Sequence, residues 1–379
     1  EADSVTTRAR WLVTLPILLG ASPWERPRSP VLSAEAFGLP GLKASDCATC
    51  HSDVAAEWST SIHAAAWTDP QFQAELYKDP EVGWLCLNCH TPLANQQPSL
   101  VTTFDNIRAP VTTPNPSFDP VLRDEGVTCL TCHWREDGIA TARKEVRAPH
   151  ATVHDPNLGG DETCTVCHQA TARLEDALVC HFNTGAEKEE AGVKQGCTDC
   201  HMPAVNRGQV HGRLHSWPGS GLGKGSGEPP AGLNGMDLEG PTLSPDGELR
   251  FSLINARTGH MLPSGDPERY LDVRASLLDA SGGVVTTQRW RIGQTWVWSP
   301  KAEKKSDNRL GVGERRDMRW TPGAQGSEIT LTIEHVRLSP ENLDYHLKLL
   351  ESGHPGPPID ALRSYPTRRT IFARSIATR

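Results

Sequence analysis

The sequence has few apolar residues and little that could cross a membrane. Hydrophobic residues make up 37% of the 379 residues and aromatic residues 6%, so side chains alone supply less core than is usual for a globular chain. The longest apolar run, residues 11–19, is shorter than the roughly 20 residues that span a bilayer, and no transmembrane span is predicted. The formal net charge of −8 disfavours nucleic-acid binding.

Cysteine, by contrast, is concentrated in one pattern, Cys-x-x-Cys-His, which occurs five times and uses ten of the eleven cysteines. Two thiols so spaced on a helical turn can each bond a haem vinyl group, and the histidine that follows can bind the iron. Zinc sites and thiol redox centres also use Cys-x-x-Cys, but neither requires the histidine. The pattern therefore predicts five covalently bound haem c groups. The residues are Cys47, Cys50 and His51; Cys86, Cys89 and His90; Cys129, Cys132 and His133; Cys164, Cys167 and His168; Cys197, Cys200 and His201.

Covalent haem attachment takes place outside the cytoplasm, so we expect an exported protein, periplasmic or at the cell surface. Residues 1–36 are typical of a signal peptide, because Arg8 and Arg10 precede the apolar run and small residues surround Glu35. The alternative is an N-terminal arm that is retained, or a segment that lies at a membrane interface.

Composition divides the remaining chain into four parts. Residues 37–217 carry all five motifs at intervals of 33 to 43 residues, and we expect short helices and irregular loops around closely spaced haems. Residues 218–241 are rich in glycine and proline, which is typical of a flexible linker. Residues 242–354 predict a C-terminal antiparallel β-sandwich, and residues 355–379 a basic tail, either solvated or packed on another subunit.

The predicted strands rest on alternating apolar and polar residues. They are separated by turns such as 281–283, and their spacing favours a sandwich. The predicted strands are 248–254, 270–278, 328–333 and 345–350.

A second side chain on each iron decides whether the haem is open to a substrate or closed. Four methionines and ten further histidines are available, so bis-histidine ligation is the simplest prediction. His63, on a predicted helix, and His260, in a glycine- and proline-framed loop, are the strongest single candidates. Two pairs of histidines are also candidates, namely His150 with His154 and His211 with His215.

Other residues are interpreted as structural. His335 and His346 lie in strand-like runs, and His354 lies in a glycine- and proline-rich segment. His181 is either a ligand or structural. Cys180, the unpaired cysteine, is predicted to be free and buried, with a sulfur ligand or an intermolecular disulfide as alternatives.

Several segments resemble the cytochrome c-554-like multihaem cytochromes. They are Cys47–Trp67 with Trp58 and His63, Cys86–Pro98, Gly126–His133, Cys197–Pro203 and the Thr-Gly-His-Met-Leu-Pro-Ser-Gly element at 258–265. The resemblance implies stacked haems, bis-histidine ligation, and His63 and His260 as second ligands. Some members of this group are enzymes acting on nitrogen or sulfur oxyanions, and others assemble into extracellular filaments. The Cys-x-x-Cys-Lys motif of pentahaem nitrite reductases is missing from the sequence.

The sequence as a whole predicts an electron carrier that relays electrons between haems. Redox proteins, other cytochromes or copies of the same chain, in an oligomer or a filament, are the expected partners. The first alternative is an oxidoreductase with one five-coordinate haem that acts on a small nitrogen or sulfur oxyanion. The second is an assembly subunit whose haems connect other proteins.

Overall fold

The structure is a computed structural model that describes residues 26–103, 105–174, 178–208, 210–218, 233, 235–298 and 301–378. The predicted signal segment therefore lies mostly outside the described residues, as does most of the predicted linker. Within the described part of the chain, no helix combines the length and the apolar character needed to cross a membrane.

The motif-bearing part is built from short helices and two- or three-stranded sheets, as predicted. Its helices are α1 (Ala44–Ala48), α2 (Ser52–Ser59), α3 (Pro70–Lys78), α4 (Gly83–His90), α5 (Pro120–Asp124), α6 (Cys129–His133), α7 (Asp161–His168), α8 (Thr184–Glu190) and α9 (Cys197–His201). Its strands are β1 (Ser99–Thr103), β2 (Val111–Pro114), β3 (Trp134–Arg135), β4 (Gly138–Thr141), β5 (Thr152–His154), β6 (Gln169–Arg173), β7 (Leu178–Asn183), β8 (Ala204–Arg207) and β9 (Val210–Arg213).

The C-terminal part contains two antiparallel sheets that share one apolar core. Its elements are β10 (Met236–Leu243), β11 (Leu249–Asn255), β12 (Tyr270–Leu278), β13 (Val284–Val297), β14 (Glu303–Asp307), β15 (Arg315–Trp320), β16 (Glu328–Val336), α10 (Pro340–Glu351), α11 (Ile359–Arg363) and β17 (Arg368–Ala377). The sheet orders are β10-β11-β15 and β14-β13-β12-β16-β17. Leu253 of the first sheet and Val273 and Leu331 of the second are completely buried in the same cluster.

Three predicted strands are confirmed as β11, β12 and β16, and residues 281–283 connect β12 to β13. The predicted strand at 345–350 is wrong, because these residues belong to helix α10. Ser339 begins that helix by accepting a hydrogen bond from the backbone nitrogen of Asn342 at 3.1 Å. Leu343, Leu347 and Leu350 then follow a helical spacing on one face.

The predicted C-terminal tail is not a solvated end. Strand β17 pairs with β16 from Arg368 to Ala377. Leu362 of α11 and Tyr365, just beyond that helix, share a buried cluster with Ala74 of α3. The Tyr365 hydroxyl also donates a hydrogen bond to Asp69 Oδ2 at 3.0 Å. The C-terminal part begins earlier than predicted as well, since β10 starts at Met236.

Candidate haem-binding site

Each motif lies on a short helix or at its end. Helices α4, α6, α7 and α9 end at the motif histidine, whereas in the first motif Cys47 lies in α1 and His51 immediately precedes α2. A helical turn brings the two cysteines of a motif to the same side as the histidine that follows. All five motifs therefore adopt the local geometry that haem attachment requires.

An acidic side chain joins the first motif to the third. Glu125 precedes α6 and accepts hydrogen bonds from the backbone nitrogen of Ala44 at 2.9 Å and from Thr128 Oγ1 at 2.7 Å. Its carboxylate thus contacts the start of α1 and the residue preceding α6, where negative charge is favourable. The neighbouring Cys129 thiol lowers the pKa of Cys47.

An acidic side chain also joins the fourth motif to the fifth. Asp161, at the start of α7, accepts hydrogen bonds from the backbone nitrogen of Cys197 and from Lys188 Nζ, both at 2.8 Å. The bond from Lys188, followed by that from Cys197, lowers the pKa of Asp161 to about 2. The neighbouring Cys197 thiol also lowers the pKa of Cys164.

The second motif contacts the fourth and lies in an apolar environment. The neighbouring Cys89 thiol, together with burial, raises the pKa of the Cys167 thiol. Burial raises the pKa of the Cys86 thiol to about 12. The ring of Phe72 stacks on the imidazole of His90, with the ring centroids 3.6 Å apart.

Three motif histidines are oriented by backbone carbonyls. Their Nδ1 atoms lie at hydrogen-bond distance from a carbonyl oxygen: His90 from Ala66 at 2.8 Å, His133 from Ala140 at 2.9 Å, and His201 from Pro218 at 2.9 Å. A carbonyl oxygen can only accept, so Nδ1 carries the proton and the Nε2 lone pair is left to bind iron.

Three imidazole pairs have the spacing of two ligands on one metal. The ring centroids are 6.2 Å apart for His63 and His168, 6.4 Å for His133 and His215, and 6.3 Å for His201 and His260. A metal–imidazole bond is about 2 Å and the ring centre lies roughly 1.2 Å further, so two ligands on opposite sides of one iron should be about 6.3 Å apart. These residues therefore fit a haem iron closed by two histidines.

The second histidine of two of these pairs is oriented like the first. Nδ1 of His215 lies 2.8 Å from the carbonyl oxygen of Arg213, and Nδ1 of His260 lies 2.8 Å from that of Met261. Burial also lowers the pKa of His215 and His260, and it lowers that of His168 to about 4. All three imidazoles are thus kept neutral, as a metal ligand must be.

His63 lies in a turn after α2 ends at Ser59, not on the predicted helix. Its carbonyl oxygen accepts a hydrogen bond from the backbone nitrogen of Val127 at 3.0 Å. Gly126 allows this approach, because it has φ +61° and a Cβ there would lie 2.7 Å from the same oxygen. The turn is therefore fixed against the segment that leads into the third motif.

The other predicted ligands are placed differently. His150 is half-buried and His154 is exposed, and among the described side chains neither has a motif imidazole as a ring neighbour. His150 contacts the carbonyl of Ala151 through Nδ1 at 3.2 Å. The side chain of His211, on β9, lies outside the part of the chain that the structure describes. The ligand roles of these three residues stay predictions.

Sequence reasoning missed two residues that contact the second histidines. The Trp217 indole lies 4.5 Å from the His63 ring and 5.5 Å from the His215 ring, edge-on to both. Glu57 of α2 accepts a hydrogen bond from the backbone nitrogen of His215 at 2.9 Å and pairs with Arg207. Glu57 and His215 are 158 positions apart, so local sequence carries no signal for this contact.

Comparison with known proteins agrees with this geometry. Residues 46–134 match the family described as cytochrome c554 and c-prime. The fold is similar to that of a penta-heme cytochrome c552 from Thermochromatium tepidum, with a TM-score of 0.64 and 18% sequence identity, over 89% of this chain and 99% of that chain. No curated protein sequence matches the chain. The repeated motifs, the family match and the fold together define a multihaem c-type cytochrome.

Proposed function

We propose that the protein is an exported electron carrier that holds five covalently bound haem c groups. When bound, haem supplies one-electron chemistry whose potential depends on the axial ligands, hydrogen bonding and burial. The observation that carries the proposal is the set of three imidazole pairs at 6.2 to 6.4 Å. Such pairs close the iron to substrates and favour electron transfer over catalysis.

The contacts between motifs support a relay. The pKa of a thiol in motif one is shifted chiefly by a thiol of motif three, and the same holds between motifs two and four and between motifs four and five. If each cysteine holds a haem, the edges of these haems would lie side by side. The chain would thereby provide short steps for electrons between neighbouring haems.

The C-terminal part would contribute in two ways. Its two sheets share a core and, in this proposal, form the predicted sandwich that closes one end of the haem region. Its loop at 258–265 would supply His260 to the iron bound by His201. Redox proteins, other cytochromes or further copies of this chain would be the partners, and a filament would be one form of such an assembly.

Two measurements test the proposal. Mass spectrometry with a pyridine haemochrome assay should give five haems per chain. Electron paramagnetic resonance of the oxidised protein should then show low-spin ferric signals alone. A high-spin ferric signal would instead favour an oxidoreductase with one open iron, acting on a small nitrogen or sulfur oxyanion.

A further inference from the structure

A buried ion pair joins the haem region to the C-terminal part next to His260. Glu187 Oε1 of α8 lies 2.6 Å from Arg309 Nη1, and the two side chains are only 5% and 7% exposed. Asp307 neutralises the other side of the guanidinium, with Oδ2 2.9 Å from Nη2. Each charge therefore has a partner, as burial requires.

The same pair holds the loop that carries His260. Glu187 Oε2 accepts a hydrogen bond from Ser264 Oγ at 2.6 Å. Ser264 Oγ also lies 2.9 Å from Thr184 Oγ1, at the start of α8. Arg309 in turn donates to the carbonyl of Pro263 at 3.4 Å. The end of the loop is thus bound from both sides by one ionic network.

The rest of the loop is fixed within the C-terminal part. Leu262 and Leu310 exchange two backbone hydrogen bonds of 2.9 Å, so the loop is tied to the residue next to Arg309. The carbonyl of His260 accepts hydrogen bonds from Thr258 Oγ1 at 2.7 Å and from Asn255 Nδ2 at 3.0 Å. These bonds fix the loop to the C-terminal part, so its position relative to the motif helices depends on the contacts across the two parts.

Glu187 connects the His260 loop to the motif helices. Helix α8 and helix α9, which ends at His201, are both connected to Asp161, so α8 is fixed relative to the motif histidine. The His201 and His260 rings are nearly parallel, with an 11° angle between their planes. Breaking a buried ion pair by removing one charge leaves the other uncompensated, which would displace the loop relative to α8.

We infer that Glu187 and Arg309 form a latch that positions His260 opposite His201, and that breaking the latch opens one iron. The inference rests on the proposed function, because it takes His260 as a ligand. In this role Glu187 and Arg309 are positioning residues that touch no haem.

Carbon monoxide provides the test, since it binds a ferrous haem only where a coordination position is open. We compare wild type, Glu187→Gln and, as a reference for the open iron, His260→Ala. Glu334→Gln is the control, because Glu334 is 14% exposed and pairs with Arg368 at 3.3 Å within the C-terminal sheet. Glu187→Gln and His260→Ala should each bind one more carbon monoxide per chain than wild type, and Glu334→Gln none. Added imidazole should restore the low-spin spectrum of Glu187→Gln and of His260→Ala.

Two results would overturn the inference, and they are distinguishable. If His260→Ala binds no more carbon monoxide than wild type, then His260 is not a ligand and that part of the proposed function fails too. If His260→Ala gains one equivalent and Glu187→Gln gains none, only the latch is wrong. If Glu187→Gln does not fold, Ser264→Ala and Arg309→Lys replace it in the test. Unchanged carbon monoxide binding in both variants would also refute the latch.

Discussion

The ring of Phe72 covers the imidazole of His90, with the two planes only 6° apart. Phe72 lies in α3, is 7% exposed, and also meets Trp67 edge-on at 6.1 Å. A face-to-face contact fixes the rotation of the imidazole, while the hydrogen bond to Ala66 fixes its tautomer. Two different contacts thus orient the histidine of the second motif.

Replacing Phe72 by alanine should lower the free energy of unfolding by about 3–5 kcal/mol, the usual cost of truncating a buried phenylalanine. It should also change the low-spin paramagnetic resonance signal of one haem, because the His90 ring is then free to rotate. Denaturant titration and the resonance spectrum measure the two effects. Phe372→Ala, in the C-terminal core, should lower stability and leave the spectrum unchanged; a spectral change there would show that the effect is not specific.

Trp217 should influence two haems at once. Its indole touches His63 and His215, and its backbone has φ 45°, a conformation that is uncommon for a bulky residue. Trp217→Leu removes both edge contacts, so two of the low-spin signals should shift while the others keep their positions. Trp296→Leu, where the ring packs beside His181, is the control and should shift none. A Trp217 variant with an unaltered spectrum would contradict this prediction.

Glu57 should act on a single haem. Glu57→Gln keeps one acceptor oxygen for the backbone nitrogen of His215 but loses the charge that pairs with Arg207. We expect a loss of about 1–3 kcal/mol in stability and a change in one low-spin signal. Glu81→Gln removes the charge of an exposed carboxylate that pairs with Arg108 at 3.2 Å, and both quantities should stay within error. Equal losses in the two variants would argue against a role for Glu57 in placing His215.

Glu268 should make stability depend on pH. Burial, followed by the charges of Asp266 and Glu75, raises the pKa of its carboxyl to about 8, with Lys78 opposing. Its Oε2 atom is buried without a hydrogen-bond partner. A raised carboxyl pKa favours the protonated folded state, so this contribution is complete below the unfolded pKa and is lost as pH rises through about 8.

The expected slope is a loss of about 1 kcal/mol per pH unit between pH 5 and pH 8. Unfolding titrations of wild type, Glu268→Gln and Glu303→Gln across this range measure it. The Glu268 variant should show a flatter profile, since glutamine does not ionise. The Glu303 variant should keep the wild-type slope, because that carboxylate is 64% exposed. Equal slopes in wild type and the Glu268 variant would exclude the shifted pKa.

The haem attachment residues are a prediction that local sequence alone can make, because the motif is local and each copy forms one helical turn. His260 could also be singled out, since its loop is framed by glycine and proline. The pairing of His260 with His201 was beyond local reasoning, because it depends on contacts across the whole chain. The expected role of His150 and His154 rested on position in the sequence alone, and the structure leaves His154 exposed and His150 half-buried.

The C-terminal part shows where pattern reasoning fails. The six residues 345–350 on their own are compatible with a strand. The helix is favoured because Ser339 caps its start and because three leucines between 343 and 350 lie on one helical face. Strand β17 was missed because its three arginines suggested solvent. It lies at the edge of its sheet, and there long side chains can reach water while the backbone pairs.

Strand β17 also determines the order in which the protein can mature. The five-stranded sheet is incomplete until β17 has been synthesised and has paired with β16, and the His260 loop depends on the core of that sheet. The fifth Cys-x-x-Cys-His motif is available long before this. In the proposed function, a haem attached to that motif would lack its second histidine until the rest of the chain has folded, and only then would His260 close the iron.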